Sequence, residues 1–190
     1  MKLTLIRHGI TEGNARHLFY GAVDIPLLPE GIARLQQQAA ETPYPTAEHY
    51  YTSGLIRTEQ TLSVLYGDVP HTRIPELREM NFGVFEMRAY EGDLEHDEAF
   101  RLWSAGDMEA NVCPGGESVK QVAERAVKAM APIIAADEDA VCVVHGGTIA
   151  GLLGEWFPTE GSVYTRAPFP GTGYQVLFEN GKPVSYHPIP

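Results

Sequence analysis

Short, almost continuously apolar runs alternate along the chain with longer stretches whose apolar positions recur every three or four residues. Residues 2–6, 49–52 and 140–144 are of the first kind and read as strands, the first and third covered on both faces. Residues 29–40, 55–66, 117–136 and 148–156 are of the second kind and read as helices. Pro29 sits near the first turn of its helix, where a missing N–H costs little. In the longest helix, Val119, Val122, Ala123, Ala126, Val127 and Met130 share one stripe. Residues 174–186 read as a hairpin turning at Asn180-Gly181. Residues 81–113 break the pattern, being acidic and interrupted by Gly83, Gly92 and Gly106. They predict an irregular excursion over the sheet edge, with a helix near 94–104 and a solvated charged face. The alternation predicts an α/β fold: three layers, α/β/α, around a mostly parallel central sheet, in a single domain spanning residues 1–190.

Composition narrows the picture. A chain of 190 residues is long enough to bury a substantial core, and its 44% hydrophobic and 21% charged content is ordinary for a globular protein. No run approaches the ~20 apolar residues of a membrane helix. The first residues carry no secretory pattern, so a cytoplasmic location is expected. Cys113 and Cys142 make no disulfide framework, and Cys142 reads as a buried thiol in an apolar strand. A net charge of −11 argues against nucleic acid or an anionic membrane as partner. It does not exclude a phosphorylated metabolite, because a few converging arginines make a local positive potential on an acidic protein. No helix stripe is surplus to the core, which leaves the oligomeric state open.

The chemistry gathers at strand ends. The first strand ends in Arg7-His8-Gly9, a fixed cation beside an imidazole at the carboxyl edge where open α/β sheets bind ligands. His145-Gly146-Gly147 follows another buried strand and opens a helix, whose first N–H groups favour an anion. If the two strands are neighbours, the histidines converge. A third strand ends at Ser53, and Arg57 lies one turn into the next helix, from where its guanidinium can reach the same edge. Glu79, between apolar neighbours, is the best candidate for a partly desolvated acid, with Glu86 as its rival. His17, Phe19, Tyr20, Tyr90 and Trp103 are candidates for lining a pocket, with surface or core packing the plainer alternative. His49, His71, His96 and His187 match no motif and no metal-ligand spacing.

These motifs resemble the histidine phosphatase superfamily, also called phosphoglycerate mutase-like, and they follow that family's order over nearly the whole chain. They are Arg7-His8-Gly9-x-Thr11-x-x-Asn14, Gly21-x-x-Asp24-x-Pro26-Leu27, Ser53-x-x-x-Arg57-x-x-x-Thr61, Leu77-Arg78-Glu79 before Phe82-Gly83, Pro114-Gly-Gly-Glu-Ser118 and Val143-Val144-His145-Gly146-Gly147. In length and motif the chain is similar to the short bacterial phosphatase branch that includes α-ribazole phosphatases. One departure is Met87, which stands where many relatives carry the glycine of Trp-Glu-Gly.

The resemblance implies a phosphoglycerate mutase-like fold and a metal-independent phosphomonoesterase with no cofactor, acting on a small phosphorylated metabolite. His8 is then the nucleophile that becomes a phosphohistidine. Arg7, Arg57 and His145, the last made a cation by the adjacent phosphate, hold the phosphoryl oxygens with Asn14 and Gly146. Glu79 protonates the leaving alkoxide and then activates water. The alternatives are a cofactor-dependent phosphoglycerate mutase, for which so short a chain has little lid to exclude water, and a catalytically silent phospho-ligand-binding module.

Overall fold

A computed structural model describes residues 1–107, 109–158 and 163–190. The first strand, β1, runs over Lys2–Arg7 and is followed by a single helical turn, α1 (Glu12–Ala15), and a two-residue strand, β2 (Leu18–Phe19). Then come α2 (Pro29–Glu41), β3 (His49–Thr52), α3 (Ile56–Tyr66) and β4 (Thr72–Arg73). The excursion holds β5 (Arg88–Ala89) and α4 (Glu98–Trp103). The chain closes with α5 (Val119–Ala136), β6 (Ala140–Val144), α6 (Gly146–Trp156), β7 (Gly173–Glu179) and β8 (Lys182–Ile189).

The main sheet has the order β4-β3-β6-β1-β7-β8. Pairings β4–β3, β3–β6 and β6–β1 are parallel, and the β7–β8 hairpin adds to β1 antiparallel. Alternating residues divide the core. Leu3 and Leu5 of β1, with Ala140, Cys142 and Val144 of β6, pack against Ala126, Met130 and Ile133 of α5 and Ile149, Leu152 and Leu153 of α6. Ile6, Val141 and Val143 face the other way, against Leu62 of α3 and Tyr44. Strands β1 and β6 are therefore covered on both faces, as their unbroken apolar runs require. From β1 the chain leaves toward β3, and from β6 it leaves across β1 toward β7. The two connections leave on opposite faces of the sheet, α2 on the side of Ile6 and Val143 and α6 on the side of Leu5 and Cys142. This makes the carboxyl ends of β1 and β6 the crevice where such sheets bind ligands. No helix among the described residues is long and apolar enough to cross a membrane.

Two sequence expectations change. The helix expected at 148–156 begins at Gly146, so both glycines lie in its first turn. The helix expected near 94–104 is only Glu98–Trp103, capped by the Asp97 side chain on the N–H of Phe100. Gly92, at φ +83, turns the chain just before it. The excursion has an apolar core of its own, in which Phe85, Leu94, Phe100, Trp103 and Cys113 pack with Met80 and Val122. Met108 lies outside the described residues.

Met87 adopts φ +61 while its N–H donates to the Phe19 carbonyl at 2.7 Å, pairing β5 with β2. A glycine reaches that conformation without the steric cost of a Cβ, roughly 1 kcal/mol, and this gives the physical reason for a glycine there. The main-chain path accommodates methionine at that cost. Met87→Gly is expected to keep or raise stability, by up to about 1 kcal/mol, since glycine's extra unfolded-state freedom offsets part of the relief. Met87→Val is expected to lower it by a similar amount. Urea unfolding of both checks this, and a clear loss on Met87→Gly would show that side-chain packing outweighs backbone strain.

Candidate active site

The parallel register pairs Arg7 with Val144, and the His8 N–H donates to the Val144 carbonyl at 3.0 Å. His8 and His145, the next residues on the two strands, consequently lie with their rings edge to face and centroids 5.3 Å apart. β3 pairs Thr52 with Val143 on the far side of β6, so Ser53 emerges beside His145. Arg57 follows in the first turn of α3.

Both imidazoles are almost completely buried, and their protonation can be read from their partners. The Nδ1 of His8 lies 2.7 Å from the carbonyl of Gly9, an acceptor only, so Nδ1 carries the proton and Nε2 keeps its lone pair. His145 has the opposite tautomer. Its Nδ1 accepts from the Nε–H of Arg57 at 3.3 Å, and its Nε2 lies 2.8 Å from the Ser53 hydroxyl. The Ser53 hydroxyl reaches Thr58 Oγ1 at 3.2 Å, and the Thr58 hydroxyl donates to the Leu55 carbonyl at 2.7 Å. With the Thr58 proton committed to Leu55, the Ser53 proton points to Thr58, and His145 Nε2–H donates to Ser53. Burial pushes the pKa of both rings well below 6.5, and neighbouring cations push it further: Arg57 and Arg7 for His8, and chiefly Arg57 for His145. With no phosphate beside it, His145 is therefore neutral.

The permanent positive charge belongs to the arginines. Arg57 is fully buried. Its Nη2 donates to the Gly21 carbonyl at 2.8 Å and its Nη1 to the Val23 carbonyl at 3.0 Å, while Cζ stands 5.1 Å from the centre of the Tyr20 ring. Desolvation lowers its pKa, opposed by Tyr20, Glu79, Asp24 and Glu86. Arg7 Nη1 donates to the Pro168 carbonyl at 2.8 Å, and its buried Nε has no hydrogen-bond partner among the described residues.

Glu79 approaches from the excursion side. Its carboxylate accepts from Gly147 N at 2.9 Å, in the first turn of α6, and from Met80 N at 2.9 Å. A Cβ on Gly147 would stand 2.4 Å from Glu79 Oε1, and one on Gly146 would press on the Arg7 guanidinium at 3.1 Å. The Gly-Gly pair thus lets an acid and a guanidinium share one helix end. Asn14 closes the capping box of α1, its Oδ1 accepting from Thr11 N, Thr11 Oγ1 and Tyr20 Oη, each at 3.0 Å.

A cavity of about 350 Å³ opens over this floor, lined by Arg7, His8, Asn14 and Glu79, with His17, Phe19, Tyr20 and Phe82 among its walls. Phe19 and Phe82 meet edge to face at 5.4 Å. Arg57 and His145 lie behind His8 rather than on the cavity wall. Among the described residues, a group of three side chains able to ligate a metal, Glu48, His49 and Glu138, is exposed and starts at the opposite end of β3.

A model of the histidine phosphatase superfamily (branch 1) matches residues 3–184. The chain belongs to the histidine phosphatase superfamily. It is 31% identical over 159 residues to the adenosylcobalamin/α-ribazole phosphatase of Salmonella typhimurium, covering 80% of this chain and 78% of that protein. The α-ribazole phosphatase of Shigella flexneri superposes with a TM-score of 0.84 at 25% identity, over 96% of this chain and 93% of that one. A phosphoglycerate mutase from Thermus thermophilus superposes with a TM-score of 0.70 at 26% identity, over 98% of each.

In this chain, Arg7, His8, Arg57, Glu79, Asn14, His145 and Gly146 come together as a cluster. Glu86 does not: its carboxylate is turned onto the backbone of residues 21–23 and does not line the cavity. His49 and His71 are taken by Glu138 and Glu59. Trp103 is core, Tyr90 is exposed, and His17 lines the cavity from a left-handed backbone at φ +53. Residues 15–25 and 81–113 contribute cavity walls, through His17, Phe19 and Tyr20 and through Phe82. Sequence reasoning gave Ser53 and Thr58 no role, although Ser53 stands at a strand end as Arg7 and His145 do.

The two buried rings are expected to make the fold acid-sensitive. Their folded pKa values lie below 6.5, so below that pH the unfolded chain binds more protons. Their contribution is complete above pH 6.5 and is lost as pH falls, at up to about 1.4 kcal/mol per pH unit for each ring. Denaturant unfolding between pH 6.5 and 5.5 should show this slope, and His145→Gln should remove about half of it. An unchanged slope in that variant would assign the sensitivity elsewhere.

Proposed function

We infer that the protein hydrolyses a small phosphomonoester through a phosphohistidine on His8. The observation that carries this reading is the neutral His8 ring, its Nδ1 held by Gly9 and its Nε2 lone pair free, on a cavity floor shared with Arg7 and Glu79. In the first step His8 Nε2 forms a bond to phosphorus as the bond to the ester oxygen breaks, and Glu79, in its acid form, protonates that oxygen. In the second, the Glu79 carboxylate takes a proton from water. The water oxygen bonds to phosphorus, the P–N bond breaks, and neutral His8 returns.

Arg7 Nε is a buried donor free to meet a phosphoryl oxygen, and Arg57 keeps N–H groups beyond the three it uses. Oriented donors in a site poor in water stabilise charge that develops at phosphorus, which is the role metals take in kinases. A phosphoryl dianion beside His145 would favour its protonation and add a third cation. The Asn14 amide and the first turn of α6 at Gly146 complete the phosphoryl subsite.

Hydrolysis is favoured over mutase chemistry by the wall of the cavity. Phosphoglycerates carry a carboxylate besides the phosphate, and among the described residues lining the cavity Arg7 is the sole permanent cation. Phe19 and Phe82 suit an uncharged leaving group with an apolar face. The names of the Salmonella and Shigella relatives make α-ribazole phosphate the first substrate to assay, beside sugar phosphates and 2- and 3-phosphoglycerate. Phosphate release without isomer exchange is expected.

His8→Ala should lower hydrolysis of an aryl phosphate by about 10³-fold or more with an unchanged circular dichroism spectrum. Retained turnover would remove the nucleophile. Glu79→Gln should slow alkyl esters by about 10²-fold or more while affecting nitrophenyl esters far less, because only the alkoxide needs a proton. Equal losses on both ester classes would take the acid role from Glu79. Chelators should leave the rate unchanged, and a loss restored by added metal would overturn the metal-independent scheme.

A further inference from the structure

Glu86 has no part in the steps above, yet its carboxylate is among the most heavily engaged groups near the pocket. It accepts from the N–H of Gly21 at 3.0 and 3.1 Å, of Ala22 at 3.0 Å, of Val23 at 3.2 Å and of Phe82 at 2.8 Å. Three of these donors are consecutive residues that lie 63 to 65 positions earlier in the chain. Four N–H groups converging on one carboxylate use its acceptor capacity, which leaves Glu86 no lone pair directed at a substrate.

The same turn points its carbonyl groups the other way. Gly21 O and Val23 O are the acceptors of Arg57 Nη2 and Nη1. Peptide dipoles at 21–23 are thus held with their N–H ends on an anion and their C=O ends on a cation, an arrangement in which each charge strengthens the other's hydrogen bonds. The turn has no room to shift toward the acid: a Cβ at Gly21 would stand 1.7 Å from the Met80 carbonyl and 3.2 Å from Glu79 Cγ. Asp24, next in the chain, accepts from Ile56 N at 2.8 Å and ties the turn to the start of α3.

We propose that Glu86 is a positioning residue for phosphoryl binding: its carboxylate fixes the 21–23 turn, and the turn fixes the direction in which Arg57 presents its remaining donors. The proposal rests on the reading of Arg57 as a phosphoryl ligand. Removing the charge at residue 86 leaves three N–H groups of the turn without their anion. The two carbonyls that orient Arg57 then lose their anchor, and a misaligned guanidinium costs rate and anion affinity together.

A double-mutant cycle tests it, with aryl phosphate hydrolysis and inhibition by inorganic phosphate as readouts. Glu86→Gln in the full chain is expected to lower kcat/KM and weaken phosphate inhibition, each by about tenfold. In an Arg57→Ala background the same substitution should change either quantity by less than about twofold, which a general loss of packing would not do. Glu86→Asp keeps the charge one methylene short and should fall between the two, and it carries the cycle if Glu86→Gln does not fold. Wild-type phosphate inhibition in a folded Glu86→Gln protein, or an equal loss in both backgrounds, would overturn the proposal. If Arg57→Ala alone leaves phosphate inhibition unchanged, the assignment of Arg57 falls, and the proposal falls with it. That result is separate from a failure at Glu86 alone.

Discussion

Arg57 carries a full charge into a place without solvent, and much of the pocket follows from what that charge requires. A buried guanidinium is tolerable only where its N–H groups meet acceptors and its charge meets anions or dipoles. Two backbone carbonyls, the Nδ1 of His145 and the face of Tyr20 supply this, with the carboxyl groups of Glu79, Asp24 and Glu86 nearby. Each partner is constrained in turn. The carbonyls require a turn at 21–23, that turn requires a glycine against Met80, and His145 must leave Nδ1 unprotonated.

The histidines show how one residue type takes two states a ring's width apart. Both are buried beside arginines and both are neutral, yet His8 leaves Nε2 open and His145 leaves Nδ1 open. A carbonyl decides the first case and a serine with a guanidinium decides the second. The parallel ladder of β1 and β6 sets their separation, so the division of labour is built from main-chain register and first neighbours.

The sheet was legible in the sequence because its strands are buried on both faces and its helices carry periodic stripes. Strand-end histidines and arginines announced the carboxyl edge, and their family resemblance joined them into one site. What periodicity could not carry was the excursion, where Gly92 turns the chain and shortens the expected helix to α4. Nor could it carry Glu86: its partners are main-chain N–H groups, which have no residue type to read. Met87 looked like a departure from pattern and proved a matter of a left-handed backbone position. The tautomer of His145 depends on the Arg57 N–H at its Nδ1 and on where the Ser53 and Thr58 hydroxyl protons point, neither of which a residue type reveals.

The row of donors from His145 through Ser53 and Thr58 to the Leu55 carbonyl points one way throughout. A chain that ends on a carbonyl oxygen has nowhere to deliver a proton and no reserve from which to draw one. On its far side His145 is insulated, so any proton it exchanges must cross the face it shares with Arg57 and His8. Proton traffic between the pocket and water is thereby confined to the cavity side, where Glu79 stands.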